Sequence, residues 1–375
     1  MTVTDDPSGT LRRTPLFDLH QEQGAKLVPF AGYSMPVNYG PGILAEHLHT
    51  RKAAGLFDIS HMGQIRLTGP EAVPALETLC PAELAELGPG RMRYSFFTNE
   101  VGGILDDLMV TREAEGLFLI VNAARKDADL AHLSQHLPHI GIEPLFERAL
   151  LALQGPAAAS VLGRLAPGVA AMPFMTAMAV DLVGIPCFVS RSGYTGEDGY
   201  EISVPADGAE VLARRLLAEE EVAMIGLGAR DSLRLEAGLC LYGHDIDETT
   251  TFAEAGLIWA IGARRRREGG FPGAQALTAE VSRRRVGILP EGRAPAREGT
   301  VIVAGDSPVG GPSQAPIGAV TSGGYGPTIG GPIAMGYVAA AQAAVGTEIG
   351  LILRGQTHKA RIARLPFTSH RYYRG

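Results

Sequence analysis

Short apolar runs separated by glycine and proline turns occur along the chain, and they follow two different periodicities. Runs that are apolar on both faces, such as residues 117–121 and 150–153, predict buried strands. Segments with apolar residues at three- and four-residue spacing, such as residues 70–80 and 208–217, predict amphipathic helices. Because the two patterns alternate over residues 1–270, we predict a mixed α+β region there.

The pattern changes beyond the basic run at residues 264–267 and the glycine pair Gly269 and Gly270. From there on, short apolar runs at regular spacing are separated by glycine turns, which is typical of a small β-barrel. These runs are residues 284–288, 300–303, 315–321, 334–338, 348–353 and 358–365. We therefore predict a first unit over residues 1–270 and a C-terminal β-barrel domain over residues 271–375.

One predicted strand carries two adjacent carboxylates, Asp106 and Asp107, inside an otherwise apolar run. Successive side chains of a strand point to opposite faces, so we expect that the two carboxylates do not share a site. One of them would reach solvent or a cap. The other would enter an apolar layer, where a carboxylate is costly unless it is hydrogen-bonded or poised for proton transfer. The periodicity does not choose between them, and a purely structural turn or edge-strand pair is the alternative.

The composition limits the classes of binding partner and the cellular compartment that we predict for the protein. The 375 residues carry a net charge of −7, which argues against nucleic acid or an anionic membrane surface as the main partner. The cysteines Cys80, Cys187 and Cys240 have no CxxC spacing and fit a reducing compartment. Residues 1–10 are polar and acidic, unlike a secretory or organelle-targeting segment, and no apolar run has the length of a membrane helix. We therefore predict a cytoplasmic protein.

Residues 193–201 combine three acids with three glycines, which let a ligand approach the backbone closely. Glu201 lies just inside a predicted strand, where a carboxylate needs a hydrogen-bonding partner. The alternative is that the segment is a hairpin loop whose polar side chains bind nothing. The histidines His47, His49 and His61 have no carboxylate or thiolate at ligand spacing, so we predict no metal site.

Residues 226–236 begin like the dinucleotide-binding pattern GxGxxG, but Asp231 stands in place of the third glycine. Dinucleotide binding is therefore not predicted. On a helix, Arg230 and Arg234 lie one turn apart. The two arginines either form a surface ion-pair ladder with Asp231, or Arg230 fixes a carboxylate or carbonyl group in a binding site.

Taken together, these segments closely resemble the aminomethyltransferase family, the T proteins of the glycine cleavage system. The resemblance includes TPL at residues 14–16, LFDISHM at 56–62 and LLALQGP at 150–156. It extends over residues 30–32, 99–111, 193–204, 226–247, 283–287 and 366–373, and so over nearly the whole chain. Motifs of this length in this order are far more specific than any single short pattern.

The resemblance implies a three-domain cloverleaf, in which two intertwined α/β-type domains bind tetrahydrofolate and a C-terminal β-barrel closes the opening. By position, the family's catalytic aspartate falls on Asp107 and its pterin-holding acid on Glu201. The other cofactor-binding positions fall on Arg230, Tyr372, Asn122, Tyr94 and Met62. The residue types suit this ligand, because a carboxylate can accept two N–H groups of an aminopyrimidinone edge and apolar walls can cover the ring faces.

The implied reaction moves a one-carbon unit from the aminomethyl group on the lipoyl arm of H protein to tetrahydrofolate. The products are 5,10-methylenetetrahydrofolate, ammonia and the dihydrolipoyl arm. Our hypothesis is that Asp107 orients the folate near N10, handles a proton and stabilises an iminium-like carbon. We expect tetrahydrofolate as co-substrate, lipoylated H protein as partner and a monomer, with no metal, flavin, nucleic acid or membrane.

Two related functions are alternatives. A tetrahydrofolate-dependent demethylase would share the folate-binding scaffold, often beside a flavin domain, but no flavin fingerprint occurs here. A non-enzymatic folate-binding factor for iron–sulfur assembly would carry a Lys-Gly-Cys-Tyr-type motif, and residues 192–197 read SGYTGE without the cysteine.

One departure from the transferase pattern is Gly330 and Gly331, where the family more often has two lysines. The basic run at residues 264–267 is either a docking patch for an acidic carrier protein or a solvated face.

Overall fold

The computed structural model describes residues 11–305 and 315–375. Its strands are β1 (Lys26–Phe30), β2 (Tyr33–Asn38), β3 (Ala54–Asp58), β4 (Gly63–Thr68), β5 (Met92–Thr98), β6 (Ile104–Arg112), β7 (Gly116–Val121), β8 (Gly141–Pro144), β9 (Arg148–Gln154), β10 (Thr176–Leu182), β11 (Ile185–Arg191), β12 (Gly199–Pro205), β13 (Val222–Met224), β14 (Arg283–Pro290), β15 (Val301–Ala304), β16 (Gly318–Gly326), β17 (Gly331–Ala339), β18 (Glu348–Leu353) and β19 (Gln356–Ala363). Its α-helices are α1 (Phe17–Glu22), α2 (Ile43–Lys52), α3 (Ala72–Glu77), α4 (Lys126–His136), α5 (Ala158–Leu165), α6 (Ala206–Leu217), α7 (Leu227–Glu236) and α8 (Ala263–Glu268). No helix in these two ranges is long and apolar enough to cross a membrane.

The acid pair lies in an inner strand of a five-stranded antiparallel sheet with the order β5-β6-β7-β4-β8. Along β6, Ile104, Asp106 and Leu108 are fully or almost fully buried, while Asp107 and Met109 are only partly buried. This is the alternation that strand geometry predicts. The buried face packs against a core that includes residues of α3 and α4. The other face turns towards the second sheet.

The second sheet has six strands in the order β10-β11-β12-β9-β3-β13, and only the β13–β3 pair is parallel. One face packs against α5 and α6 around the buried ring of Tyr200. On the other face, Leu150 and Ala152 join Phe118 and Ile120 of the first sheet in one apolar cluster. The two sheets therefore share an apolar layer, and the tight turn from β3 to β4 passes directly from one sheet to the other.

The C-terminal strands form a closed barrel in the order β14-β17-β16-β15-β18-β19. The predicted mixed fold with a C-terminal β-barrel is therefore confirmed. Helix α7 lies against the barrel, where Leu235 packs with Ile333 and Met335. The predicted domain boundary at residue 270 stays a prediction; Phe271 and Ala276, just beyond it, pack with Phe252.

Candidate functional site

Asp107 is held by two neighbouring strands of the first sheet. The Tyr94 hydroxyl on β5 donates to Asp107 Oδ2 at 2.9 Å, and the Asn122 side-chain amide, just after β7, donates to Asp107 Oδ1 at 2.7 Å. Three of the predicted site residues are thus in direct contact. The Tyr94 ring also stacks on the indole of Trp259, whose side chain is 67% exposed.

The expectation that Asp106 and Asp107 do not share a site is wrong. The two carboxylates do leave opposite faces of β6, but one residue at the end of the next strand reaches both. Asn122 Nδ2 lies 2.9 Å from Asp106 Oδ1, and the Asn122 backbone N–H donates to Asp106 Oδ2 at 3.1 Å. Neither carboxylate points freely into solvent, since Asp106 is fully buried and Asp107 is partly buried. The strand period could not show this contact, because it arises from pairing with β7.

Burial raises the pKa of Asp107 to about 7, with a further contribution from the adjacent Asp106 carboxyl. The hydrogen bonds from Tyr94 and Asn122 work in the opposite direction, because they stabilise the ionised form. Asp107 can therefore change protonation state near neutral pH. A carboxyl with this property in a partly open position is suited to general acid–base chemistry.

Glu201 on β12 and Arg230 on α7 form a second, less satisfied pair of charges. The Glu201 side chain receives one hydrogen bond, from the Ser192 hydroxyl at 3.2 Å. Burial raises the pKa of Glu201, and the positive charge of Arg230 opposes that effect. The Arg230 guanidinium lies over the Tyr194 ring at 4.8 Å, and among the described residues its buried Nη1 has no hydrogen-bond partner. The Glu201 carboxylate and Arg230 Nη1 therefore have hydrogen-bonding capacity that the described residues leave unused, at atoms shielded from water.

Met62 and Tyr372 lie in different surroundings. Met62, in the turn after β3, packs on the apolar layer shared by the two sheets. Tyr372 stacks face to face on Phe174 at a centroid distance of 3.9 Å and lies near His370. None of the contacts recorded for residues 11–305 and 315–375 joins Tyr372 to Asp107, Glu201 or Arg230.

Three residues of this region were not predicted from the sequence: Tyr194, Ser192 and Trp259. Tyr194 belongs to the glycine-rich segment at residues 193–201 and Ser192 adjoins it, but that segment was singled out for its acids and glycines. The Tyr194 hydroxyl donates a hydrogen bond to the Cys240 carbonyl, and the Arg230 guanidinium lies over the Tyr194 ring. Trp259 is the single tryptophan of the chain. That it is unique was the only available signal for it.

The ion-pair ladder proposed for α7 is only half present. Arg234 pairs with Asp231 at 2.8 Å, but it is buried and also pairs with Asp245 at 2.7 Å. Arg230 takes no part in this ladder. The two arginines, one helical turn apart, therefore have different environments.

The basic run at residues 264–267 is only partly exposed. Arg264 pairs with Glu77 at 2.7 Å, and Arg265 is buried against backbone carbonyls including that of Cys80. These two arginines tie α8 to α3, whereas Arg266 and Arg267 are exposed, and whether they form a docking patch stays a prediction. Gly330, where the family more often has a lysine, adopts φ +74° in the β16–β17 turn, a conformation that favours glycine.

Within residues 11–305 and 315–375, no group of three or more His, Cys, Asp or Glu side chains is arranged to hold a metal ion. The prediction of no metal stays a prediction.

Residues 16–265 match the GCVT N-terminal domain family, and residues 283–368 match the glycine cleavage T-protein C-terminal barrel domain family. The probable mitochondrial aminomethyltransferase of Schizosaccharomyces pombe is 46% identical, with 98% of this chain and 95% of that relative covered. The mitochondrial aminomethyltransferase of Mus musculus is 45% identical over 97% of this chain and 91% of that relative.

The prediction of a cytoplasmic location is wrong by this comparison, because these relatives are named as mitochondrial enzymes. The prediction rested on the composition of the chain and on residues 1–10, which lie outside the described residues. Cellular location is specified by a targeting signal that a receptor reads. A low cysteine content does not distinguish one reducing compartment from another.

Among solved structures, the glycine cleavage system aminomethyltransferase T from Bartonella henselae matches with a TM-score of 0.91 and 45% sequence identity. The match covers 97% of this chain and all of that one, so the similarity is not confined to one part of the fold. These findings support the transferase interpretation and not the demethylase or assembly-factor alternatives. The chain belongs to the aminomethyltransferase family, the glycine cleavage T proteins.

Proposed function

We propose that this chain transfers the methylene carbon from the aminomethyl group on the dihydrolipoyl arm of H protein to tetrahydrofolate. The carbon–sulfur and carbon–amine bonds of the aminomethyl group break, and two bonds to folate nitrogens form. The two protons leaving those nitrogens end on ammonia and on the dihydrolipoyl thiol. The observation that carries the proposal is the unused hydrogen-bonding capacity of the buried Glu201 carboxylate and of the buried Nη1 atom of the partly buried Arg230, together with an acid with a pKa of about 7.

Glu201 is proposed to hold the pterin ring. Within the described residues its carboxylate receives a single hydrogen bond, from Ser192, which leaves acceptor capacity for two N–H donors on one edge of a planar heterocycle. A buried carboxylate without such donors is costly, and a ligand that supplies them would remove this cost.

Arg230 is proposed to bind a carbonyl or carboxylate oxygen of the same ligand. Its guanidinium is held in place by the Tyr194 ring, while Nη1 is left without a partner in the described part of the chain. A planar, permanently charged donor that is already positioned loses little entropy when it binds an oxygen acceptor.

Asp107 is proposed to be the catalytic residue. Tyr94 and Asn122 hold both of its oxygens, so the carboxylate is positioned before any ligand binds. A pKa of about 7 lets it accept and return a proton near neutral pH, and its ionised form stabilises positive charge that develops on the migrating carbon. Met62 is proposed as an apolar wall, and Tyr372 as a more distant contact.

Ammonia release from aminomethyl-loaded H protein with tetrahydrofolate tests the proposal. We would compare wild type, Asp107→Asn and a control, Asp127→Asn, which changes an exposed acid on α4. Folate binding by each protein would be titrated in parallel. The proposal predicts that only Asp107→Asn loses turnover while it still binds folate. A wild-type protein that binds folate but releases no ammonia would exclude the transferase function.

A further inference from the structure

A cleft separate from the candidate site lies where the first and second sheets meet. Its volume is about 430 Å³, which is within the usual range of small-molecule sites. Arg112 at the end of β6 lines the cleft, and it follows Asp107 by five positions, so it lies roughly 17 Å further along the strand. Neither Asp107, Glu201 nor Arg230 lines the cleft. It is therefore not part of the site proposed for folate.

Part of the lining of this cleft is apolar and aromatic. Phe118 of β7 and Phe188 of β11 pack edge to face, with their ring centroids 5.2 Å apart. Met178 on β10, the edge strand of the second sheet, adds a side chain that is 38% exposed. The small side chains of Ala177 and Ala179 on the same strand leave room beside it. These surfaces can cover the apolar body of a ligand.

The charged part of the lining has an excess of positive charge, in a chain whose net charge is −7. The arginines Arg66, Arg112 and Arg148 line the cleft, and among its described lining residues Glu113 is the only acid. This acid is already paired, because Arg66 Nε donates to Glu113 Oε2 at 2.8 Å and Arg66 Nη2 donates to Oε1 at 3.3 Å. Glu143 accepts a further hydrogen bond from Arg66 at 3.4 Å. Arg66 is therefore neutralised, and the other two arginines are not.

Arg112 and Arg148 have no acidic partner in residues 11–305 and 315–375. The partly exposed Arg112 guanidinium has neither a hydrogen bond nor an ion pair with a described residue. Arg148 donates from Nε to Ser203 Oγ at 2.8 Å and from Nη2 to the Ser203 carbonyl at 2.9 Å, which orients its guanidinium without neutralising it. Burial lowers the pKa of Arg148, and the positive charge of Arg66 acts in the same direction. The Cys187 thiol supplies no counter-charge near neutral pH, because burial raises its pKa to about 11.

We propose that this cleft binds a small organic anion, a carboxylate or phosphate ester with an apolar body, at a site separate from the folate site. The Arg112 and Arg148 guanidiniums hold the anionic group, and the apolar body lies against Phe118 and Phe188. Guanidinium groups bind carboxylate and phosphate oxygens through paired N–H donors. Arg148 is already oriented by Ser203, so it loses little freedom when the anion binds. The inference does not depend on the proposed function, because it uses none of the same residues.

Calorimetric titration of the full chain with four matched probes tests the proposed ligand class. The probes are naphthoate, naphthyl phosphate, the neutral naphthylmethanol and inorganic phosphate. At least one naphthyl anion should bind with a Kd below about 1 mM, and the better of the two identifies the anionic group. The alcohol and inorganic phosphate should bind at least about tenfold more weakly, because each lacks one half of the recognised chemistry. If either of them binds as tightly as the naphthyl anions, the proposal is wrong.

Substitution of the two arginines locates the bound anion. Arg112→Met and Arg148→Met should each weaken binding of the naphthyl anion by about tenfold or more. The matched control Arg93→Met removes an exposed arginine of the neighbouring strand β5 that does not line the cleft, and it should leave the Kd within about twofold. Thermal unfolding of Arg112→Met should match wild type, because its guanidinium has no partner in the described residues. Equal losses in all three variants would indicate unspecific attraction and overturn the proposal.

Competition with tetrahydrofolate shows whether the two sites are separate. The naphthyl anion would be titrated with and without saturating tetrahydrofolate, and its Kd should be the same in both conditions. A probe that tetrahydrofolate displaces, and that keeps its affinity in Arg112→Met, would occupy the folate site and overturn the inference. Because these titrations need no turnover, their result does not depend on the ammonia-release assay. Anion binding that requires Arg112 would support the inference even if that assay fails.

Discussion

Two buried clusters of charge on α7 and its neighbours differ in how completely their hydrogen bonds are satisfied. At the junction of α2, α7 and the β16–β17 turn, Glu236 accepts from Arg51 Nη2 at 3.0 Å and from the Thr328 backbone N–H at 2.7 Å. His47 also lies 3.2 Å from the same carboxylate. In the candidate site, Glu201 has one hydrogen bond and Arg230 has a buried nitrogen with none among the described residues.

The difference distinguishes the structural role of Glu236 from the binding role proposed for Glu201 and Arg230. Glu236 has a pKa lowered to about 2, because its partners outweigh the cost of burial, whereas the pKa of Glu201 is raised because its partners do not. A buried charge with a full set of partners holds three segments of the chain together. A buried charge with an incomplete set is stable only if the rest of the fold compensates for its cost, and it has capacity left for a ligand.

The largest expected effect is on catalysis. Asp107→Asn should reduce the rate of ammonia release by roughly 10³-fold, because the amide cannot exchange a proton or stabilise positive charge. Tetrahydrofolate affinity should stay within about threefold, because Asn retains an acceptor for Asn122. The measurement is single-turnover ammonia release with a parallel folate titration. Turnover close to wild type would remove Asp107 from the mechanism.

The next largest effect should be on stability at the junction. Glu236→Gln leaves the Arg51 guanidinium without a neutralising charge from Glu236 and should lower the free energy of unfolding by about 3 kcal/mol. Folate affinity of the folded protein should not change. Denaturant unfolding and a folate titration below the unfolding transition would measure both. Weakened folate binding without loss of stability would contradict the structural assignment of this cluster.

A matched pair of arginines on one helix sharpens the comparison. Arg230→Met should weaken folate binding roughly 10–100-fold without lowering stability, since it removes a charge whose partners are incomplete. Arg234→Met, one turn further along, should lower stability because the buried Asp245 carboxylate loses the positive charge paired with it. Calorimetric titration and thermal unfolding of both variants check this. A reversal of the two results would mean that the hydrogen-bond count does not identify the ligand site.

The smallest effect concerns stability and pH. The pKa of Asp107 is raised from 3.8 to about 7 in the folded state, so the folded protein binds more protons between these values and its stability falls as pH rises through them. Asp107→Asn removes this dependence. It should raise the free energy of unfolding at about pH 8 by roughly 1–3 kcal/mol and have little effect at about pH 4. Denaturant unfolding at the two pH values measures it. An equal change at both values would rule out a raised pKa.

Local patterns in the sequence were sufficient for most elements of the fold. The strand that carries Asp106 and Asp107, the helix that carries Arg230 and the C-terminal barrel strands all follow from periodicity and turn residues. Short elements were missed: β8 and β13 have too few residues for a periodic signal. The resemblance to the family, and not the period, selected Asp107 from the acid pair.

The partners of each polar residue were decided only by the tertiary structure. Asp107 meets Asn122 because β6 and β7 pair in one register, and Glu236 meets Arg51 and Thr328 across 185 and 92 positions of the chain. A period specifies the face on which a side chain lies, but not which residue of another element covers that face. Whether a buried charge is completed by the fold or left for a ligand depends on those distant contacts. This is why Arg230 and Arg234, alike in sequence and one turn apart, have different surroundings.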